Sequence, residues 1–213
     1  MLSLPPSAAI LLLLAPHLSE SSRLFHPISI TEPCLVVLPA TESRPEITVS
    51  IEYALEDPES VPTFEHFLLS LRPTKAQGSS LRSSAISLES SYGKFQLFVV
   101  DLTGDGIEEV VCILGEGRGT SARSEYLHVY RWEGASINNI LLVPFSEHFG
   151  MEGRWWYVPE FWRDAGTGRV SLDLRLEHDQ FTGREDEFPD LIPKDNLLVY
   201  QWDEARQRLV RVQ

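Results

Sequence analysis

Basic residues are scarce in this chain: 18 Lys and Arg stand against 31 Asp and Glu, a formal charge of −13 over 213 residues. Binding to the DNA or RNA backbone is built on cationic side chains that neutralise phosphates, so nucleic acid is not expected as a partner. An acidic surface favours solubility and attracts cations, but names no ligand by itself. Cysteine is nearly absent. The two that occur, Cys34 and Cys112, allow one disulfide in an oxidising compartment, or two buried thiols in the apolar runs CLVVL and EVVCIL. Neither a GxSxG nucleophile elbow nor an HExxH zinc helix is present, which removes the two hydrolase signatures easiest to recognise.

No apolar run is long enough to cross a bilayer as a helix. The run AAILLLLA at residues 8–15 has eight residues, and the polar stretch after it reads as the end of a signal peptide. Ser19 and Ser21 supply small residues for cleavage before Ser22. This divides the chain into a signal peptide at 1–21, an N-terminal β segment at 22–94 and a β region at 95–213, the last two forming one domain. Its expected place is secreted or periplasmic.

The mature chain is read as mostly β, with antiparallel sheets resembling propeller-blade units. The runs CLVVL and ITVSIEYAL are β-branched and punctuated by proline. Phe64, Phe67, Leu68 and Leu71 fall at i, i+3, i+4 and i+7, which predicts one short helix, capped by Ser60 or Thr63 and stopped by Pro73. Residues 74–94 are serine-rich and read as a loop or edge. From 95 onward, eight apolar runs, from FQLFVV to RLVRV, follow at short spacing between Gly, Asp and Asn turns. FQLFVV and EVVCIL are apolar on both faces, as in a central strand covered on two sides. LHVYRWE at 127–133 is echoed by LLVYQWD at 197–203, each a strand entering a turn.

The chemistry is concentrated in Asp101-Leu102-Thr103-Gly104-Asp105-Gly106-Ile107-Glu108-Glu109. Side-chain oxygens stand at positions 1, 3, 5 and 9, and the Ile107 carbonyl is available at position 7. Calcium is a hard cation that takes six to eight oxygens, and a tight loop with alternating carboxylates can offer them on one side. Gly104 and Gly106 allow the backbone to curl through positive φ. An EF-hand would require a bidentate Glu at position 12, but Cys112 stands there and both flanks are strand-like. The segment VVDLTGDGIEEVVCILGEG instead resembles an FG-GAP/VCBS repeat, the strand–calcium loop–strand unit of integrin-like propellers and many secreted bacterial proteins. The resemblance covers residues 95–132 and implies Ca2+ held by Asp101, Thr103, Asp105, Glu109 and the Ile107 carbonyl. Thr103 replaces the usual Asp or Asn and Glu109 the shorter Asp. The same Asp-Gly dipeptide also favours an unmetallated hairpin turn.

Other groupings point less sharply. Gly115-Glu116-Gly117-Arg118-Gly119 precedes a strand rather than a helix N-terminus, which makes it a hairpin loop and not a phosphate cradle. His66, His148 and His178 adjoin carboxylates but lack an orienting third group, and are read as surface or edge residues. RWWYVPEFW at 154–162 holds three of the five tryptophans. Trp155, Trp156 and Trp162 are candidates for a contact surface toward a glycan or protein ligand, or for packing between sheets. The function expected is an exported calcium-binding module for ligand or protein binding; the alternatives are an extracellular enzyme or enzyme subunit with a dispersed site, or a purely structural domain.

Overall fold

The computed structural model describes residues 28–30, 34–38, 40, 46–53, 65–73, 82–90, 95–116, 123–149, 153–178 and 192–213. The expected signal peptide lies outside the described residues, as does most of the 22–33 segment. What is described is all β, in two antiparallel sheets. The smaller sheet is a four-stranded meander of β2 (Cys34–Leu38), β3 (Ile47–Tyr53), β4 (Glu65–Pro73) and β5 (Ser84–Ser90). The larger sheet has nine strands. Short β1 (Ile28–Ile30) flanks β6 (Phe95–Val100), and then β7 (Glu109–Glu116), β8 (Arg123–Glu133), β9 (Ser136–His148), β10 (Arg154–Arg163), β11 (Val170–His178), β12 (Leu197–Asp203) and β13 (Arg208–Arg211) follow in chain order.

All eight runs expected after residue 95 are therefore strands. The predicted helix is not: β4 replaces it. Phe67, Leu69 and Leu71 form one buried row, and the other row runs from half-buried Leu68 through buried Ser70 to exposed Arg72, so the apolar period is two. The apparent helical spacing arose because Leu68 adds an apolar residue to the outward row. Phe64 and the proposed caps lie outside the described residues. Within the serine-rich stretch, 84–90 form the edge strand β5, whose inward row Ile86, Leu88 and Ser90 is partly disguised by serine.

Two apolar cores share the strands β6–β8. On one face, Ile47, Val49 and Ile51 of β3 and Phe67, Leu69 and Leu71 of β4 pack against Leu97, Val99, Val110, Cys112, Tyr130 and Trp132. The Gly115 amide donates to buried Ser90 Oγ (2.9 Å), and Trp132 Nε1 donates to the Arg82 carbonyl (3.1 Å), which joins the two sheets by hydrogen bonds as well. On the other face, Phe98, Val100, Val111, Ile113, Leu127 and Val129 meet residues of β9–β13 such as Tyr157, Phe161, Leu172 and Leu198. Every residue of β7 from Glu109 to Gly115 is buried, as its two-faced apolar sequence requires.

The larger sheet can cover one of its own faces because it bends. The register between β8 and β9 shifts at Glu125/Tyr126 and again at Val129/Tyr130, and such bulges add local twist. Strand β9 then pairs with β10 only where Ser146–His148 meets Trp156–Arg154. Beyond that short junction the partners separate, and β10–β13 turn back over β6–β9 to enclose the second core.

Candidate functional site

The motif at residues 101–109 is the hairpin connection between β6 and β7, with Val100 and Glu109 paired across its base. Gly104 (φ 81°) and Gly106 (φ 83°) take the positive φ that lets the connection fold onto itself. Three of its four carboxylates are held by the loop's own amides. Asp101 Oδ1 accepts from the Gly104 amide (2.6 Å) and Oδ2 from the Gly106 amide (3.0 Å). Glu109 Oε2 accepts from the Leu102 amide (2.7 Å) and the Thr103 amide (3.2 Å), while Thr103 Oγ1 donates to Oε1 (3.2 Å). Asp105 Oδ1 accepts from the Ile107 amide (2.8 Å).

Glu109 is the unusual member. Its residue is 1% exposed, and burial pushes its carboxyl up to about 8, with the charges of Asp105 and Asp101 adding to the rise and the Leu102 and Thr103 amides opposing it. Leu102, also 1% exposed, is the apolar plug that fixes the loop on the core. Asp105 is exposed and meets a cation: Arg131 Nη2 lies 3.0 Å from Oδ2. The same guanidinium stands 4.5 Å over the Trp202 ring, contacts Glu133 (3.3 Å) and donates to Gln207 Oε1 (3.3 Å). Arg131 thereby ties the loop to the β12–β13 turn. This link was not foreseen from sequence; the echo of Arg131-Trp132 in Gln201-Trp202 marks two turns but not that they are neighbours.

The oxygen set (carboxylates of Asp101, Asp105 and Glu109, the Thr103 hydroxyl and the Ile107 carbonyl) has the hard-donor chemistry calcium requires. The aspartate oxygens and Glu109 Oε1 keep lone-pair capacity beyond the bond each accepts, whereas Glu109 Oε2 already accepts from two amides. Among the described residues, however, no group of three or more His, Cys, Asp or Glu is spaced to hold a metal ion as it stands. Donor chemistry fits; convergence on an ion would require the carboxylates to leave some of these amide bonds.

The aromatic segment separates by face along β10. Trp155 (5% exposed), Tyr157 and Phe161 point into the core, so Trp155 is a packing residue and not part of an outer contact surface. Trp156 is half-buried beneath Arg154, whose guanidinium lies 4.8 Å over its ring, and Trp162 is 36% exposed. Both lie on the outward row with Val158 and Glu160. His148 and His178 are exposed at the ends of β9 and β11, in register with Arg154 and Trp155 of the strand between them; the side chain of His66 lies outside the described residues. Cys112 is a free thiol at 0% exposure, and burial pushes its pKa up. The loop at residues 117–122 lies outside the described residues, but β7 and β8 pair antiparallel on either side of it, as a hairpin. Among the described residues no helix is long and apolar enough to cross a membrane.

Comparison with protein-family models, curated proteins and solved structures finds no match to this chain.

Proposed function

We propose that the chain is an exported calcium-binding β module that presents the outer row of β10, with Trp156 and Trp162, to a protein or glycan ligand. The observation that carries the calcium reading is the loop itself, which two positive-φ glycines curl between paired strands so that Asp101, Thr103, Asp105 and Glu109 stand on one tight connection. Arg131 offsets the charge of Asp105. A divalent cation would offset that of Asp101 and favour the ionised form of Glu109, whose proton is released on binding. Because the aspartates are held by loop amides, part of the binding energy goes into moving them. Affinity is therefore modest, on the order of 10⁻⁴ to 10⁻³ M, as in extracellular modules. Export rests on the apolar run at residues 8–15.

Thermal melting with chelator and with calcium tests the reading. At tenfold excess over Kd, linkage adds about 1.4 kcal/mol, which raises the Tm by roughly 3–6 °C for a chain of this size. Asp105→Ala is expected to abolish the shift while melting cooperatively in chelator. Superimposable melts of the unaltered protein in chelator and in about 10 mM calcium would remove calcium from the account.

A further inference from the structure

We propose that the free edge of β13 docks an extended, acidic segment of a partner protein, which adds to the larger sheet as one more strand. β13 is the last strand in the order of that sheet, so among the described residues only β12 pairs with it. β9 pairs with β10 only through Ser146–His148, which leaves that edge of β9 without a strand over residues 136–145. Between the two edges lies an open cavity of about 570 Å³, within the range of ligand sites and lined by the consecutive residues 139–142 and 208–211. A strand that presented one face would line it at every second position; consecutive residues mean that both strands border it edge-on. The ladder with β12 fixes which backbone groups point there. The Val212 amide donates to the Val199 carbonyl (2.8 Å) and Val210 pairs with Gln201, so alternation turns the N–H and C=O of Leu209 and Arg211 to the open side.

Where a peptide adds to a sheet edge, backbone pairing supplies affinity and the facing side chains supply selectivity. Along β13 these read Arg208, Leu209, Val210, Arg211, and the complementary strand presents acidic, apolar, apolar and acidic residues across from them. Charge favours this in a chain that carries −13 overall. Arg208 has no ion-pair partner among the described residues, and Arg211 meets Asp195 (3.0 Å) in an exposed pair that a ligand carboxylate replaces at little cost. Leu142, in the lining, is 56% exposed and Val212, directly after β13, is 54% exposed; they are the two most exposed large hydrophobics among the described residues. A small anion cannot bridge Arg208 and Arg211, because residues three apart on a strand point to opposite faces. A second copy of this chain is disfavoured: two β13 edges paired antiparallel about a two-fold axis centred on Leu209 and Val210 set Arg208 of each chain opposite Arg211 of the other. The proposal rests on neither the calcium loop nor the outer row of β10.

Fluorescence anisotropy of the full chain in chelator, with labelled peptides of about seven residues, a common strand length, tests it. One peptide carries a Glu-Val-Val-Glu core, a second replaces its glutamates by lysines, and a third keeps the glutamates but N-methylates the core amides, which blocks a ladder and leaves the side chains. The first is expected to bind saturably with a Kd on the order of 10⁻⁵ to 10⁻⁴ M and the others at least about tenfold more weakly. Arg208→Gln and Arg211→Gln, both exposed substitutions, should each weaken the first peptide about threefold or more. Hydrogen exchange followed by NMR should slow at the Leu209 and Arg211 amides when that peptide is bound, and stay unchanged at Val210, whose amide faces β12. Equal binding of the first and third peptides would reduce the site to charge attraction and overturn the added strand. No saturation by the first at up to about 1 mM would also overturn it and leave the arginines as guards of an open edge. A dimer of the chain in sedimentation at about 100 μM, with the same two amides protected, would assign the edge to a second copy instead.

Discussion

At the scale of single residues, Glu109 couples the loop to pH. Its carboxyl titrates near 8 in the folded chain against 4.5 for the free group, so between those values the native state holds a proton that the unfolded chain has released. Stability from this source is present below pH 4.5 and is lost as pH rises toward 8, by about 1.4 kcal/mol for each pH unit within that window. His128 acts in the opposite sense. Burial lowers its pKa, so its contribution is present above 6.5 and is lost as pH falls below that value. Glu109→Gln isolates the carboxyl: the amide oxygen can still accept from the Leu102 and Thr103 amides, but the group no longer titrates. Urea denaturation in chelator between pH 6.5 and 8, above the range in which His128 contributes, is expected to show a decline for the unaltered protein and a much shallower response for the variant. Equal slopes for the two proteins would place the pH dependence elsewhere.

At the scale of elements, β4 is where a two-residue and a helical period compete in one sequence. The strand makes Leu69 a core residue at 0% exposure and leaves Leu68 half-buried on the opposite row. Helical packing would reverse their importance. Leu69→Ala should cost roughly 2–5 kcal/mol through lost contacts and the cavity left behind, and Leu68→Ala less than about 1 kcal/mol, measured as midpoints of chemical denaturation. Comparable losses at both positions would contradict the strand. The other strands were legible because their apolar residues answer to only one period: after residue 95, each run alternates or is apolar throughout between clear turn residues. Double coverage was legible too, since Val110, Val111, Cys112 and Ile113 leave no side for water. Strand β5 was hidden because Ser90 occupies a buried, hydrogen-bonded position that pattern reading assigns to solvent. The oxygen spacing of residues 101–109 marked the candidate loop, but the Arg131 link and the cavity between β9 and β13 come from the bend at the β9–β10 junction, which no local pattern encodes.

At the scale of the whole molecule, the decisive fact is that β6–β8 belong to both cores. Removing the small sheet would expose Leu97, Val99, Val110 and Cys112, and removing β10–β13 would expose Phe98, Val100, Val111 and Ile113 on the reverse side of the same strands. Neither half can keep its share of buried surface alone, so the two cores should unfold as one cooperative unit. Ile51 and Trp155 report on this from opposite sides, since the first lies in the small-sheet core and the second in the other. In a Trp132→Phe background, which removes the tryptophan of the small-sheet core, Ile51→Ala should therefore lower the denaturation midpoint read by tryptophan fluorescence by the same amount as that read by far-ultraviolet circular dichroism. Cys112 gives an independent probe. It is a free thiol at 0% exposure whose burial also suppresses the reactive thiolate, so it should be inert to thiol reagents in the native chain. In a Cys34→Ala background, Cys112 labelling should appear with the same denaturant dependence as the loss of tryptophan fluorescence. Labelling at denaturant concentrations well below that transition would mean that the small sheet opens by itself, and the shared strands would then be a support for it rather than the common centre of a single folding unit.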